Sequence, residues 1–298
     1  MNGFDPPAPM WSRFSPTDIY PSCAPAPEPK SNAMQPDICA LCLEPKALRK
    51  SHIIPNAIFR RIKQSQNSGQ LIQLDDSPHA PIQYSQESWW EHLLCTDCER
   101  IIGGYENYGL SLIRGSDPGK IQRHSEGVTF RAHHYACFKL FLTSLLWRAA
   151  VSKQPYFSKV ILPEKCQEEA RISVLKGQPL RPMRLGCKFL RMVDDTSAAD
   201  GSFSDENLEQ LVISPIPRLH GHSSYYTFLF LIEGFLLEYF VRAIPHRQAE
   251  DRGVHKDSPI WFVPHRSIFK VPELLKLMVS AYGKHDRGLV ALNGRGDR

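Results

Sequence analysis

The chain has 298 residues, enough for one large domain or two modest ones with a sizeable buried core. Hydrophobic residues make up 42% and charged residues 22%, ordinary values for a globular protein; Lys plus Arg exceed Asp plus Glu by 36 to 31, a mildly positive balance that permits a nucleic-acid partner without demanding one. The first residues lack the basic stretch and apolar core of a secretory signal, and the two most apolar stretches, 135–151 and 225–241, are broken by Lys139 and Arg148 and by Glu233 and Glu238, short of the roughly 20 apolar residues of a membrane span. A soluble, cytoplasmic protein is expected.

Residues 1–36 hold nine of the 24 prolines and read as a disordered extension. Residues 37–110 read as a small metal-stabilised module, 130–282 as a mixed α+β body, and 283–298, charged and glycine-rich, as a flexible tail. Within the module, 48–54 predicts a strand ending at Pro55, 56–62 a short basic helical turn, and 64–86, with Gly69, Pro78 and Pro81, an inserted loop or loose hairpin. Residues 95–108 predict a helix broken or kinked at Gly103-Gly104. In the body, Tyr135, Phe138, Phe141, Leu142, Leu145 and Leu146 recur at helical spacing within 134–151. A second helix is predicted over 163–176, opened by Pro163 and stopped by Gly177. Strands are predicted over 184–193, 225–232 and 235–241, the last two joined by a Glu233-Gly234 turn, and a terminal helix lies within 267–282.

Four of the eight cysteines form two Cys-x-x-Cys pairs, Cys39/Cys42 and Cys95/Cys98. Such a turn points two sulfurs at one ion. Two pairs close a tetrahedral zinc site with no position left for water, so the zinc is structural. A thioredoxin-like reading needs one pair in a βαβ setting, not two. The 52 residues between the pairs add little to the cost of closing the loop. Cys23, Cys137, Cys166 and Cys187 have no partner spacing and read as ordinary buried or loop thiols.

The pairs bracket Ser51-His52-Ile53-Ile54-Pro55, and the second pair follows Leu93-Leu94 and precedes Glu99. In these residues the chain resembles the HNH endonucleases, built on a ββα-metal (His-Me finger) or treble-clef core. The resemblance covers residues 39–108, roughly a quarter of the chain. It implies a zinc-stabilised ββα module followed by a helical and antiparallel-strand body. It also implies that His52 is the general base taking a proton from water as it attacks phosphorus, and that a divalent ion, Mg²⁺ or Mn²⁺, stabilises the developing charge. DNA or RNA would be cut, and bacterial defence is the associated role. The family carries an acid or histidine before the base, where this chain has Ser51; an asparagine or histidine shortly before the third cysteine, where Trp90 stands and His92 takes the role; and a histidine or asparagine after the last cysteine, where Glu99 offers a hard oxygen ligand. Glu106, seven residues on, shares that helix face if the helix survives its glycines.

Each residue also has a plainer reading. His52 can be a polar strand end, Glu99 a helix-start acid favoured by the macrodipole, Glu91 and His92 solvent-facing residues, and Glu106 a surface acid. His133 and His134 are adjacent and point apart on a helix. Six basic residues, Lys46, Arg49, Lys50, Arg60, Arg61 and Lys63, flank His52 with no acid among them. They either neutralise phosphates without reading sequence or form a solvated face. Arg148 either binds phosphate or pairs with an internal acid. The body carries no phosphate-binding glycine loop or hydrolase elbow and is a candidate surface for a protein partner. Three readings stand: a metal-dependent endonuclease of little sequence specificity, a non-catalytic zinc-binding module that docks nucleic acid or protein, and a purely structural zinc ribbon on an unrelated enzyme body.

Overall fold

The computed structural model describes residues 37–65, 71–73, 82–85, 88–196, 203–220, 226–241, 243–288 and 290–292; the predicted extension at 1–36 lies outside them. Strand β1 (Leu48–His52) stops before Pro55, and α1 (Asn56–Ser65) follows, a full helix rather than a single turn, with Ile58, Phe59 and Ile62 buried along one side. Strands β2 (Leu71–Gln73) and β3 (Ile82–Ser85) pair antiparallel, giving the insertion its hairpin. The chain returns as β4 (Trp90–Cys95), antiparallel to β1, and enters α2 (Thr96–Arg114) directly.

The predicted break at Gly103-Gly104 is absent: α2 runs through both glycines. Each costs a helix roughly 1 kcal/mol. Burying Ile102, Leu110, Leu112 and Ile113 along the same helix returns more, at about 1.5–3 kcal/mol per large apolar side chain.

Strands β5 (Ile121–His124) and β6 (Gly127–Arg131) form a hairpin with no counterpart among the predicted strands. Helix α3 (Tyr135–Val151) is buried on every side from Phe138 to Ala149, which accounts for its apolar run. Helix α4 (Glu164–Lys176) lies between Pro163 and a left-handed Gly177, as its sequence predicts. The rest of the body is β7 (Cys187–Val193), α5 (Asp205–Glu209), β8 (Ile213–Leu219), β9 (Tyr226–Ile232), β10 (Phe235–Phe240), α6 (His246–Ala249), β11 (Ile260–Ser267), α7 (Pro272–Asp286) and β12 (Val290–Leu292). Seven strands make one sheet in the order β5-β6-β11-β7-β10-β9-β8; within it β11 and β7 pair in parallel and the other neighbours antiparallel. Helix α7 extends past Tyr282 to Asp286, and β12 pairs in parallel with β3, so part of the segment expected to fray has regular structure.

Module and body share one hydrophobic core, in which Leu41, Ile53, Ile54 and Ile58 join Phe138, Leu145, Trp147, Phe189 and Trp261. A second tie is polar. The β9–β10 turn places Glu233 and Gly234 at positive φ (50° and 73°), the backbone of a tight two-residue hairpin. The Glu233 side chain, 2% exposed, accepts hydrogen bonds from Arg61 of α1 and, at 2.6 Å, from Arg114 of α2. Among the described residues, no helix is long and apolar enough to cross a membrane.

Candidate functional site

The first cysteine pair sits in a knuckle closed by backbone. Leu43 takes a left-handed conformation (φ 61°), its N–H donates to the Cys39 carbonyl at 2.8 Å, and the Cys39 N–H donates to the Glu44 carbonyl at 3.0 Å. The Ala40 N–H donates to the Leu93 carbonyl at 3.0 Å, stitching the knuckle to β4. The second pair opens α2, with Cys95 as its N-cap. All four sulfurs lie within 4.8 Å of one another, and Cys42 Sγ is 4.0 Å from Cys95 Sγ. A tetrahedral zinc with ~2.3 Å bonds needs sulfurs about 3.8 Å apart, so the cluster fits the ion. Burial alone would raise the Cys39 thiol, but hydrogen bonds from the backbone of Cys42, Cys95 and Leu41 hold it down at about 7. Burial, with the neighbouring thiols, pushes Cys98 up. That proton leaves when an ion binds. The four cysteines could therefore hold a metal such as zinc.

The β1–β4 ribbon that grows from this centre has two different faces. The register pairs Lys50 with His92 and His52 with Trp90, and cross-strand partners share a face. Ring contacts agree: Lys50 Nζ lies 4.3 Å over the Trp90 ring, and the His92 ring meets Trp90 edge-on at 5.6 Å. Lys50 and His92 are exposed, whereas His52 and Trp90 are half-buried. His52 Nε2 shares a 2.8 Å hydrogen bond with the Ser88 hydroxyl, which fixes the ring. Burial, then the charges of Arg148, Lys63, Arg60 and Lys50, lower the His52 pKa to about 4. The ring is thus neutral at pH 7, with a lone pair to offer.

The opposite face is closed. Ser51 is fully buried, accepts the Leu94 N–H at 3.0 Å, and pairs across the ribbon with Glu91, whose carboxylate accepts the Lys153 N–H at 3.2 Å. Alternation along a strand sends Ser51 and His52 to opposite faces. Glu99 keeps company with Ser51: burial raises its pKa, while the Ser51 hydroxyl and Arg148 pull it back. Arg148, 2% exposed, donates to the His52 carbonyl at 2.6 Å and lies 2.6 Å from Glu106. The structure therefore brings His52 and His92 to one face and sets Glu99 and Glu106 on the other. Glu106 is mostly buried and ion-paired, not a surface acid. The cysteines form the only group of three or more Cys, His, Asp or Glu ligands within reach of one ion among the described residues.

The basic segment also divides. Lys46 pairs with Glu44 at 2.6 Å, and Arg61 is held by Glu233 and, at 2.7 Å, by Glu209, so these two serve the fold. Lys50, Arg60 and Lys63 act on His52, and Arg49 is exposed. Sequence reasoning missed Ser88, which no motif marks. It left the role of Arg148 open, and the internal acid is Glu106.

Compared with known proteins, the chain matches no family model, and no curated protein or solved structure is significantly similar to it. Geometry alone defines its class: an α+β protein with a four-cysteine cluster that could hold a metal ion at the root of a β1–β4–α2 unit.

Proposed function

We propose that the chain is an HNH-like endonuclease whose zinc-bound cysteines hold His52 at the end of β1 as general base. The observation that carries this reading is the placement of a neutral His52 on the open face of the ribbon, fixed by Ser88 and under the charge of Lys50, Arg60 and Lys63. Those cations attract a phosphodiester backbone without reading its sequence. Water attacks phosphorus, His52 takes its proton, an O–P bond forms, and the P–O3′ bond breaks, the 3′ oxygen taking a proton from solvent. Zinc supplies no chemistry in this step; its four thiolates leave it no open position. DNA or RNA is the substrate, with little sequence specificity.

A second reading has its own observation. Arg148 pairs with Glu106, and burial raises the Glu99 pKa, which withdraws both acids from ion binding and fits a non-catalytic module that docks nucleic acid or protein. Incubating supercoiled plasmid with zinc-loaded protein, with Mg²⁺, with Mn²⁺ or with no added divalent ion, separates the two. Nicking by the wild type that disappears in His52→Ala supports the nuclease. Full activity in His52→Ala removes His52 as base, and a wild type that nicks under none of the three conditions leaves the docking module.

A further inference from the structure

We propose that the outward face of the β1–β4 ribbon receives a single-stranded stretch of nucleic acid, with one base stacked on Trp90 and the adjoining phosphate held by Lys50 beside His52. The proposal rests on the nucleic-acid reading of this site and names the form of the substrate.

The two tryptophans at the entry to β4 have different settings. Trp89 is buried, stacked on Tyr156 at 5.1 Å and edge-on to Phe59 at 5.5 Å, so it has a packing role. Trp90 is half-buried between two exposed polar residues, Lys50 and His92, and no apolar ring packs on it among the described contacts. Its backbone is fixed, because the Gln154 side-chain amide donates to the Trp90 carbonyl at 2.7 Å. A large π face presented on a fixed strand beside an exposed ammonium is what an unpaired base can use. Stacking tolerates any base, because every base has a π face, and it agrees with the lack of any base-reading element. A duplex hides its base faces in the helix, so this platform selects single strands or an extruded base.

Charge is complementary. The four residues of this face, Lys50, His52, Trp90 and His92, include a cation and no acid, while Glu91 belongs to the opposite face with Ser51. Lys50 now lies over the Trp90 ring at 4.3 Å, a cation–π contact that a base displaces, freeing the ammonium for phosphate. Since Trp90 is the direct cross-strand partner of His52, a base on that ring brings its own backbone to the imidazole.

The test is fluorescence anisotropy with a labelled mixed-sequence single strand and the matching hairpin duplex. The full-length, zinc-loaded protein carries His52→Ala, so that nothing is cut and binding is read even if the catalytic reading fails. The single strand is expected to bind at least about tenfold tighter than the duplex. Adding Trp90→Leu, which keeps apolar bulk and removes the π face, weakens single-strand binding by about five- to a hundredfold, and Trp90→Phe restores most of it. The salt dependence stays the same in Trp90→Leu and falls by about one phosphate contact in Lys50→Ala. Equal affinity for duplex and single strand, or unchanged binding in Trp90→Leu at an unchanged melting temperature, overturns the proposal, as does the absence of binding to either probe.

Discussion

The two faces of the β1–β4 ribbon are made of neighbouring residues and meet opposite fates. On the inner face Ser51 is fully buried, and Arg148 joins the end of β1 to Glu106 on α2. On the outer face Lys50, His52, Trp90 and His92 are left partly open to solvent with no carboxylate among them. The difference shows that a polar residue beside the cysteine cluster does not by that fact reach the open face. Glu99, next in sequence to a cysteine ligand, serves the buried side, while His92, three residues before Cys95, shares the open face with His52.

This division predicts that inner-face and metal substitutions cost stability and that outer-face substitutions cost binding or cleavage. The largest effect is expected at the cysteines. Zinc binding contributes on the order of 10–16 kcal/mol in small zinc peptides, so Cys95→Ser or prolonged chelation should release the ion and melt the β1–β4–α2 unit. Metal analysis should find about one zinc per chain in the wild type and none in the variant, with a parallel loss of thermal stability.

Next comes Arg148→Met, which leaves Glu106 without its partner in a largely buried site. A loss of about 3–5 kcal/mol by urea unfolding is predicted. His52→Ala and Trp90→Leu should stay within about 1 kcal/mol of the wild type in the same assay, as partly exposed positions do. Equal losses on both faces would erase the contrast.

A smaller, pH-dependent effect belongs to the body. His255 is 1% exposed, its ring lies 5.4 Å from that of His133, and burial, then the charges of His133 and Lys139, press its pKa well below the usual value. The unfolded chain therefore binds more protons below pH ~6.5, and stability falls as the pH drops through that value. His255→Phe, set among Tyr135, Phe138 and Trp261, should flatten this acid loss in melts run from pH 7 to pH 4.

The smallest effect is a gain. A Cβ at Gly103 or Gly104 would meet nothing within 4 Å, so Gly103→Ala and Gly104→Ala should each stabilise α2 by up to about 1 kcal/mol. Gly109→Ala, where a Cβ would come within 2.4 Å of Phe141, should destabilise it. Both signs can be read from the same thermal melts.

What the sequence made legible was local. The Cys-x-x-Cys spacing marked the ligands, Pro55 and Gly177 marked element ends, and the period of Tyr135, Phe138, Leu142 and Leu145 marked α3. What it hid depends on neighbours far along the chain. Pro215 and Pro217 argue against a strand, yet β8 is a sheet edge with one partner and can spare donors. Pro264 sits in β11 opposite Gly127, just before the pairing with β7 begins at His265. In the site, the His52–Ser88 contact spans 36 residues and the Arg148–His52 contact 96, and neither leaves a local pattern. The two glycines that suggested a break in α2 give a real penalty, which the helix's buried face outweighs.

The pH dependence of single-turnover plasmid cleavage, compared in the wild type and His52→Ala, tests the central assignment most directly. Protonation removes the base, so the rate must fall as the pH drops through the His52 pKa. That value is about 4 in the free protein, held there by burial and by the charges of Arg148, Lys63, Arg60 and Lys50. Bound phosphates neutralise part of that charge and move the acid limb upward, toward the usual histidine value of ~6.5. The account predicts an acid limb between about pH 4 and 6.5 in the wild type and its disappearance, with most of the rate, in His52→Ala. A His52→Ala variant that cleaves at the wild-type rate with the same acid limb would contradict it.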